Sequence, residues 1–178
     1  TIFVDLERNR VLWICRTRRK EAVKKVFKEV FGPEVCGQIE AVAMDMWEAF
    51  ESAVRECMPQ AKIVWDRFHI MKNFNRDVVD RVRIDELKAA QSTEAKKPIT
   101  GAKFIILKNR RNMKRKEMAR LGEILSANRR IFTVLVSREA LSKLWGYTYE
   151  KPSREWFSSW YDRAIRSRIE PLKRFAKR

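Results

Sequence analysis

The sequence predicts an α/β chain in two parts, a small sheet with its helices through residue 92 and an all-helical part over residues 93–178. Three observations carry that reading. Two short apolar runs, Ala41–Met44 and Ile63–Trp65, each end in an aspartate, Asp45 and Asp66. The amphipathic segment Trp47–Met58 joins them, and strand–helix–strand is the pattern of a parallel βαβ unit. Past the polar stretch Ala89–Gly101, the apolar residues recur almost only at helical spacing.

The elements follow in order. Ile2–Asp5 and Arg10–Cys15 are β-rich runs around the turn Leu6-Glu7-Arg8-Asn9, which reads as a hairpin. Lys20–Phe31 spaces Ala22, Val23, Val26, Phe27, Val30 and Phe31 as a helix, with Gly32-Pro33 as its stop. In the βαβ unit, Trp47, Phe50, Ala53, Val54 and Cys57 form the inner stripe of the helix, and Pro59 ends it. Met71–Lys88 reads as a long helix with Phe74, Val78, Val82 and Leu87 inward. Beyond the boundary come an apolar run, Phe104–Leu107, and helical periods over Arg115–Leu125, Arg130–Val136, Ala140–Trp145, Arg154–Ile165 and Pro171–Lys177. Trp145, Trp156, Phe157, Trp160 and Tyr161 are expected in the core of this part, because aromatics at helical spacing are more often buried than offered to a ligand.

Charge divides the chain in the same place. Residues 1–100 hold 19 Lys+Arg against 16 Asp+Glu, and residues 101–178 hold 21 against 7. A second half this basic points to a polyanionic partner, DNA in the first place, with a generically solvated surface as the competing account. No run of about 20 apolar residues suits a membrane span, and no secretory pattern opens the chain. The expected location is cytoplasmic, associated with the nucleoid. Three dispersed cysteines without a C-x-x-C pair argue for reduced thiols instead of zinc or disulfides.

The stretch AVAMDMW…AFESAVRECMPQAKIVWDRFHIMKNFN resembles the DDE-type transposases of bacterial insertion sequences, specifically the ISL-three group. TIFVDLERNRVLWI, FIILKNRRNM, LSKLW and PLKRFAK resemble further landmarks of the same family, in the same order. The resemblance implies a ribonuclease-H-like fold with a helical insertion: a partial core over residues 1–92 and a basic insertion module over 93–178. It implies DNA cutting and strand transfer by two-metal phosphoryl transfer, with Mg²⁺ on two aspartates and a glutamate, and a homo-oligomer at full length. Asp45 matches the second aspartate, the catalytic and metal-binding position. Asp66 and His69 match the family's D-x-x-H signature, an accessory element. Asp5 matches a position at the hairpin turn and is no substitute for the first aspartate. That aspartate and the glutamate have no match in this sequence. The strand-like opening Thr1-Ile2-Phe3-Val4 also lacks a leading cap, so an internal piece, inactive by itself, is expected.

Blander roles stand beside these. Asp45 also suits an N-cap for the helix starting at Met46 or Trp47, a role that can coexist with metal binding, and Asp66 a cap or a partner of Arg67. His69 suits a buried, hydrogen-bonded corner residue as well as an accessory group, since neutral imidazole is a poor Mg²⁺ ligand beside carboxylates. For DNA contact the candidates are Arg18, Arg19 and Lys20, in the run Arg16–Lys20, and Lys108, Arg110, Arg111, Lys114, Arg115 and Lys116. They carry no base-reading signature, so phosphate contact is expected. The alternative function is non-catalytic: a truncated DNA-binding remnant, or a basic helical DNA-binding protein. The latter leaves Asp45 and Asp66 at strand ends without a purpose.

Overall fold

A computed structural model describes residues 1–178. It is α/β and dominated by helices. The chain divides into two compact units, Thr1–Ile70 and Met71–Arg178. The division falls after Ile70, within one helix, where the sequence placed its boundary in the polar stretch at residue 92. No helix is long and apolar enough to cross a membrane.

The first unit opens with β1 (Ile2–Asp5) and β2 (Arg10–Ile14), paired antiparallel with Asp5 opposite Arg10. Asp5 builds the turn: its carboxylate accepts the backbone N–H groups of Glu7 and Arg8 at 3.1 and 3.0 Å. The Arg8 N–H is the main reason that the Asp5 carboxyl is held below its ordinary value. Asn9 takes the left-handed conformation the tight return needs, φ 50°.

Helix α1 (Lys20–Lys25) widens into a π-helical stretch, Val26–Phe31. A π turn shifts the phase of the side chains. Val23, Val26 and Phe27 are buried as expected, whereas Val30 is exposed. Gly32, at φ 75°, turns the chain, but it does not end the helical region. A second helix, α2 (Gly32–Gln38), starts there, with Pro33 in the first turn where a missing N–H is harmless.

The βαβ unit is present as read. Strand β3 (Ala41–Met44), helix α3 (Glu48–Cys57) and strand β4 (Lys62–Trp65) follow one another, and β3 and β4 pair in parallel from Ala41↔Lys62 to Met44↔Trp65. Each strand alternates, so Val42, Met44, Ile63 and Trp65 face the core while Ala43 and Val64 face out. That core packs Met44, Ala53, Val54 and Met58 against Val23, Phe27 and Cys36. Phe3 closes it, edge-on to Phe27 at 5.6 Å and to Phe31 at 5.7 Å. Trp47 departs from the expected stripe and is half exposed, because α3 begins only at Glu48. Met58, just beyond the helix, is buried in its stead. The two strand pairs form separate two-stranded sheets.

The second unit contains helices only. Helix α4 (Arg67–Phe74), a π stretch (Asn75–Asp80) and α5 (Arg81–Ala89) make the long helix, which starts four residues before the predicted Met71. Phe74, Val78, Val79 and Val82 line it at 0% exposure. Ser92 caps the single turn α6 (Thr93–Lys96) by accepting the Ala95 N–H at 3.1 Å. The apolar run Phe104–Leu107 belongs to helix α7 (Lys103–Leu107), with Ile106 buried and Phe104 in solvent.

Helices α8 (Arg115–Ala127) and α9 (Arg129–Ser142) follow; α9 fuses most of what read as two helices. Asn128, between them, caps α9 through the Ile131 N–H at 2.9 Å and donates to Glu86 at 2.7 Å. Arg138 is largely enclosed, which pulls its pKa down, and it donates to the Ile106 carbonyl at 3.3 Å. Helices α10 (Glu150–Arg166) and α11 (Glu170–Ala176) complete the unit. Trp160 is core and donates to the Ser137 carbonyl at 3.0 Å. Phe157 is substantially exposed, contrary to expectation, because it lies at the rim of the helix face that Trp160 buries.

Candidate active site and basic surface

The parallel register puts two carboxylates side by side. Met44 and Trp65 are the last paired residues, so Asp45 and Asp66 leave neighbouring strands at the same edge. The Asp66 N–H extends the ladder to the Met44 carbonyl at 2.9 Å. This is the carboxyl end of a parallel pair, where open α/β sheets present ligands.

The two aspartates are used differently. Asp66 is the cap of α4: its Oδ1 accepts the Phe68 N–H at 2.6 Å, and its carbonyl accepts the Ile70 N–H at 3.0 Å. Partial burial alone raises the Asp66 pKa; the Phe68 N–H and the His69 side chain and backbone outweigh it and hold the carboxyl below its ordinary value. Asp45 caps nothing. The N-cap position of α3 is Trp47, which makes no side-chain cap bond.

His69 stands in the first turn of α4 and sits between the aspartates. Its Nε2 is 3.6 Å from Asp45 Oδ2 and its Nδ1 3.3 Å from Asp66 Oδ2. The second contact is close enough for electrostatic attraction but misaligned for a hydrogen bond, so Nδ1 is enclosed without a hydrogen-bond partner. The ring also meets Phe68 edge-on at 5.4 Å.

Mg²⁺ takes hard carboxylate oxygens, and Asp45 offers one carboxylate with about a third of its side chain open. Nowhere do three His, Cys, Asp or Glu side chains group so as to hold a metal ion.

The basic candidates separate into engaged and open groups. Lys20 and Lys24 both pair with Glu56, and Lys20 is the main cause of its fall to about 2. Lys108 Nζ lies 2.8 Å from both Glu117 oxygens, and Arg110 pairs with Glu139 at 3.0 Å. Glu117 also accepts the Lys114 N–H at 2.8 Å, capping α8. Arg18, Arg19, Arg111, Lys114, Arg115 and Lys116 are exposed, with their charged ends outside any ion pair. One feature was missed in sequence: the Trp156 ring lies under two cations, Lys143 at 5.8 Å and Arg163 at 5.7 Å. Sequence offers no signal for it beyond the basic residues flanking the aromatics.

A family model described as a transposase matches residues 1–178. The transposase for insertion sequence element IS1001 of Bordetella parapertussis is 37% identical over 179 residues, an alignment that takes in 100% of this chain and 44% of that protein. The chain thus spans less than half the length of that curated relative. No solved structure matches.

Proposed function

This chain belongs to the ISL-three group of transposases, and on that premise we propose that it is the part of an insertion-sequence transposase that supplies one carboxylate of the catalytic centre and a basic helical unit for DNA. The observation that carries the reading is the parallel register. It sets Asp45, the match to the family's second catalytic aspartate, on the same sheet edge as Asp66 and beside His69.

In this reading the two strand pairs, separate sheets in this structure, belong to a ribonuclease-H-like core and the helical unit is the family's insertion. Asp45 is the free carboxylate of the edge and the one suited to a divalent cation; Asp66 is committed to the α4 cap and to His69. Two-metal phosphoryl transfer needs carboxylates converging on ions about 3.5–4 Å apart. The ligands beyond Asp45 are not assembled by these residues, so the chain alone is expected to be inactive. The second unit contributes phosphate contacts through Arg111, Lys114, Arg115 and Lys116, which position DNA without reading its sequence.

The test has two arms. The 178-residue chain with Mg²⁺ or Mn²⁺ should neither nick nor join a duplex. In the full-length protein, Asp45→Asn should abolish strand cleavage and leave DNA binding in place. Metal-dependent nicking by the chain itself, removed by Asp45→Ala, would relocate the active site. Cleavage that survives Asp45→Asn in the full-length protein would refute the assignment.

A further inference from the structure

Helix α10 buries Trp160 and Ala164 and leaves its opposite face to water. Glu155, Ser158, Ser159, Asp162, Arg163 and Arg166 share that face at helical spacing, and all are exposed. The same side chains line an open hollow of about 510 Å³. Glu155 lies at one end of it and Arg166 at the other, with the two serines toward the middle. The Trp156 ring holds the Arg163 guanidinium at 5.7 Å, which fixes its place on the rim.

The charges on this face are set apart from the rest of the helical unit. On α10 itself Glu150 pairs with Arg154 at 2.7 Å, and Glu86, Glu117 and Glu139 pair with cations of other segments. Glu155, Asp162 and Arg166 make no ion pair, although Asp162 and Arg166 stand one turn apart, where opposite charges on a helix can meet. DNA does not suit such a face, because two carboxylates would lie against phosphates. Arg111, Lys114, Arg115 and Lys116 offer cations without that repulsion.

The order of these groups along the helix identifies the occupant. In an antiparallel pair of identical helices, facing residues have numbers of constant sum. A two-fold axis midway between Trp160 and Tyr161 sets Glu155 opposite Arg166 of a second copy, Ser158 opposite Arg163, and Ser159 opposite Asp162. Every one of these pairings is complementary, and the symmetry makes each twice. Glu155 and Arg166 form an ion pair, the Ser158 hydroxyl accepts from the Arg163 guanidinium, and the Ser159 hydroxyl donates to the Asp162 carboxylate. A parallel pair would instead set Glu155 on Glu155 and Arg166 on Arg166. The small serines near the axis let the helices approach to the usual separation of about 8–10 Å. We propose that the outer face of α10 is a self-association surface, on which a second copy of this chain lays its own α10 antiparallel across a two-fold axis. One helix pair buries less than a standard interface, so the contact is weak and reversible. It does not depend on the catalytic role of Asp45.

Sedimentation velocity of the 178-residue chain tests this. Loaded from about 1 to 200 µM at low salt, it should show a reversible monomer–dimer equilibrium. Glu155→Lys opposes Arg166 with a like charge, and Arg166→Glu does the same to Glu155; each should weaken dimerisation at least about tenfold. The two variants mixed in equal amounts restore both ion pairs across the axis, and so does the double variant Glu155→Lys/Arg166→Glu. Both should dimerise within about threefold of the parent, which also shows that the substitutions leave the fold intact. A parent that stays monomeric over the whole range overturns the proposal. Dimerisation indifferent to either charge reversal overturns it by placing the contact elsewhere. A mixture and a double variant that both fail to recover refute the antiparallel register. Tighter binding of duplex DNA by Glu155→Lys, with dimerisation unchanged, makes the face a DNA surface and overturns the proposal as well.

Discussion

The acidic edge of β3 and β4 and the basic stretch Lys108–Lys116 differ in how their charges are arranged. At the edge, tertiary register alone brings Asp45 and Asp66 together, and one imidazole stands between them. In the basic stretch the charges are contiguous in sequence, yet folding withdraws some of them. Lys108 is taken by Glu117 and Arg110 by Glu139, which leaves Arg111, Lys114, Arg115 and Lys116 open. A charge count therefore overstates the surface available to phosphates, and a linear motif understates how closely carboxylates can be gathered. Arrangement, not number, decides what each region can bind.

The comparison can be broken first at its scaffold. Phe74 is fully buried and packs edge-on to Phe175 at 4.9 Å. Phe74→Ala should cost about 3–5 kcal/mol, seen as a lowered midpoint in thermal or urea unfolding. A loss under about 1 kcal/mol would mean that the helical unit does not depend on this contact.

The open cations come next. Alanine at Arg111, Lys114, Arg115 and Lys116 together should flatten the dependence of log K on log salt by about 0.9 per lost phosphate contact, without lowering thermal stability. The control is alanine at Lys108 and Arg110, whose charges are already paired. An equal flattening by the control would erase the distinction between engaged and open groups.

The two aspartates should separate in the same way. Asp66→Ala removes the α4 cap and should destabilise by about 1 kcal/mol. Asp45→Ala removes no hydrogen bond and should leave unfolding nearly unchanged. Chemical denaturation of the pair decides it; equal losses would show that Asp45 has a structural role at the edge.

The smallest effect concerns pH. Glu56 has its pKa lowered from 4.5 to about 2, first by the Lys20 hydrogen bond and then by Lys24. A carboxylate depressed in the folded state contributes stability that is fully present above the unfolded value and is lost as pH falls through the folded one. Glu56→Gln should therefore be slightly less stable than the parent above pH 4.5, with the difference fading between 4.5 and about 2. Parallel midpoint curves across that window would remove Glu56 from the acid response.

Much of the scaffold was legible because its signals are local. The hairpin, the βαβ unit and the long helix through Phe74, Val78 and Val82 each announce themselves by period and turn chemistry. Misreadings arose where a neighbour or an irregular turn intervenes. The π stretch Val26–Phe31 moved Val30 outward, and Gly32-Pro33 began a helix as well as ending one. Trp47 and Phe157 read as core because hydrophobicity is a property of the residue, whereas exposure depends on what packs over it.

The sequence by itself determined the order of elements, the concentration of positive charge after residue 100 and the positions of Asp45, Asp66 and His69 relative to strand ends, since periodicity and composition are carried by the chain. Only the tertiary structure decided which aspartate caps a helix, where the imidazole lies, which of Lys108–Lys116 stay open and which aromatic rings face water. Each of those depends on distances between residues far apart in sequence, set by strand register and helix packing.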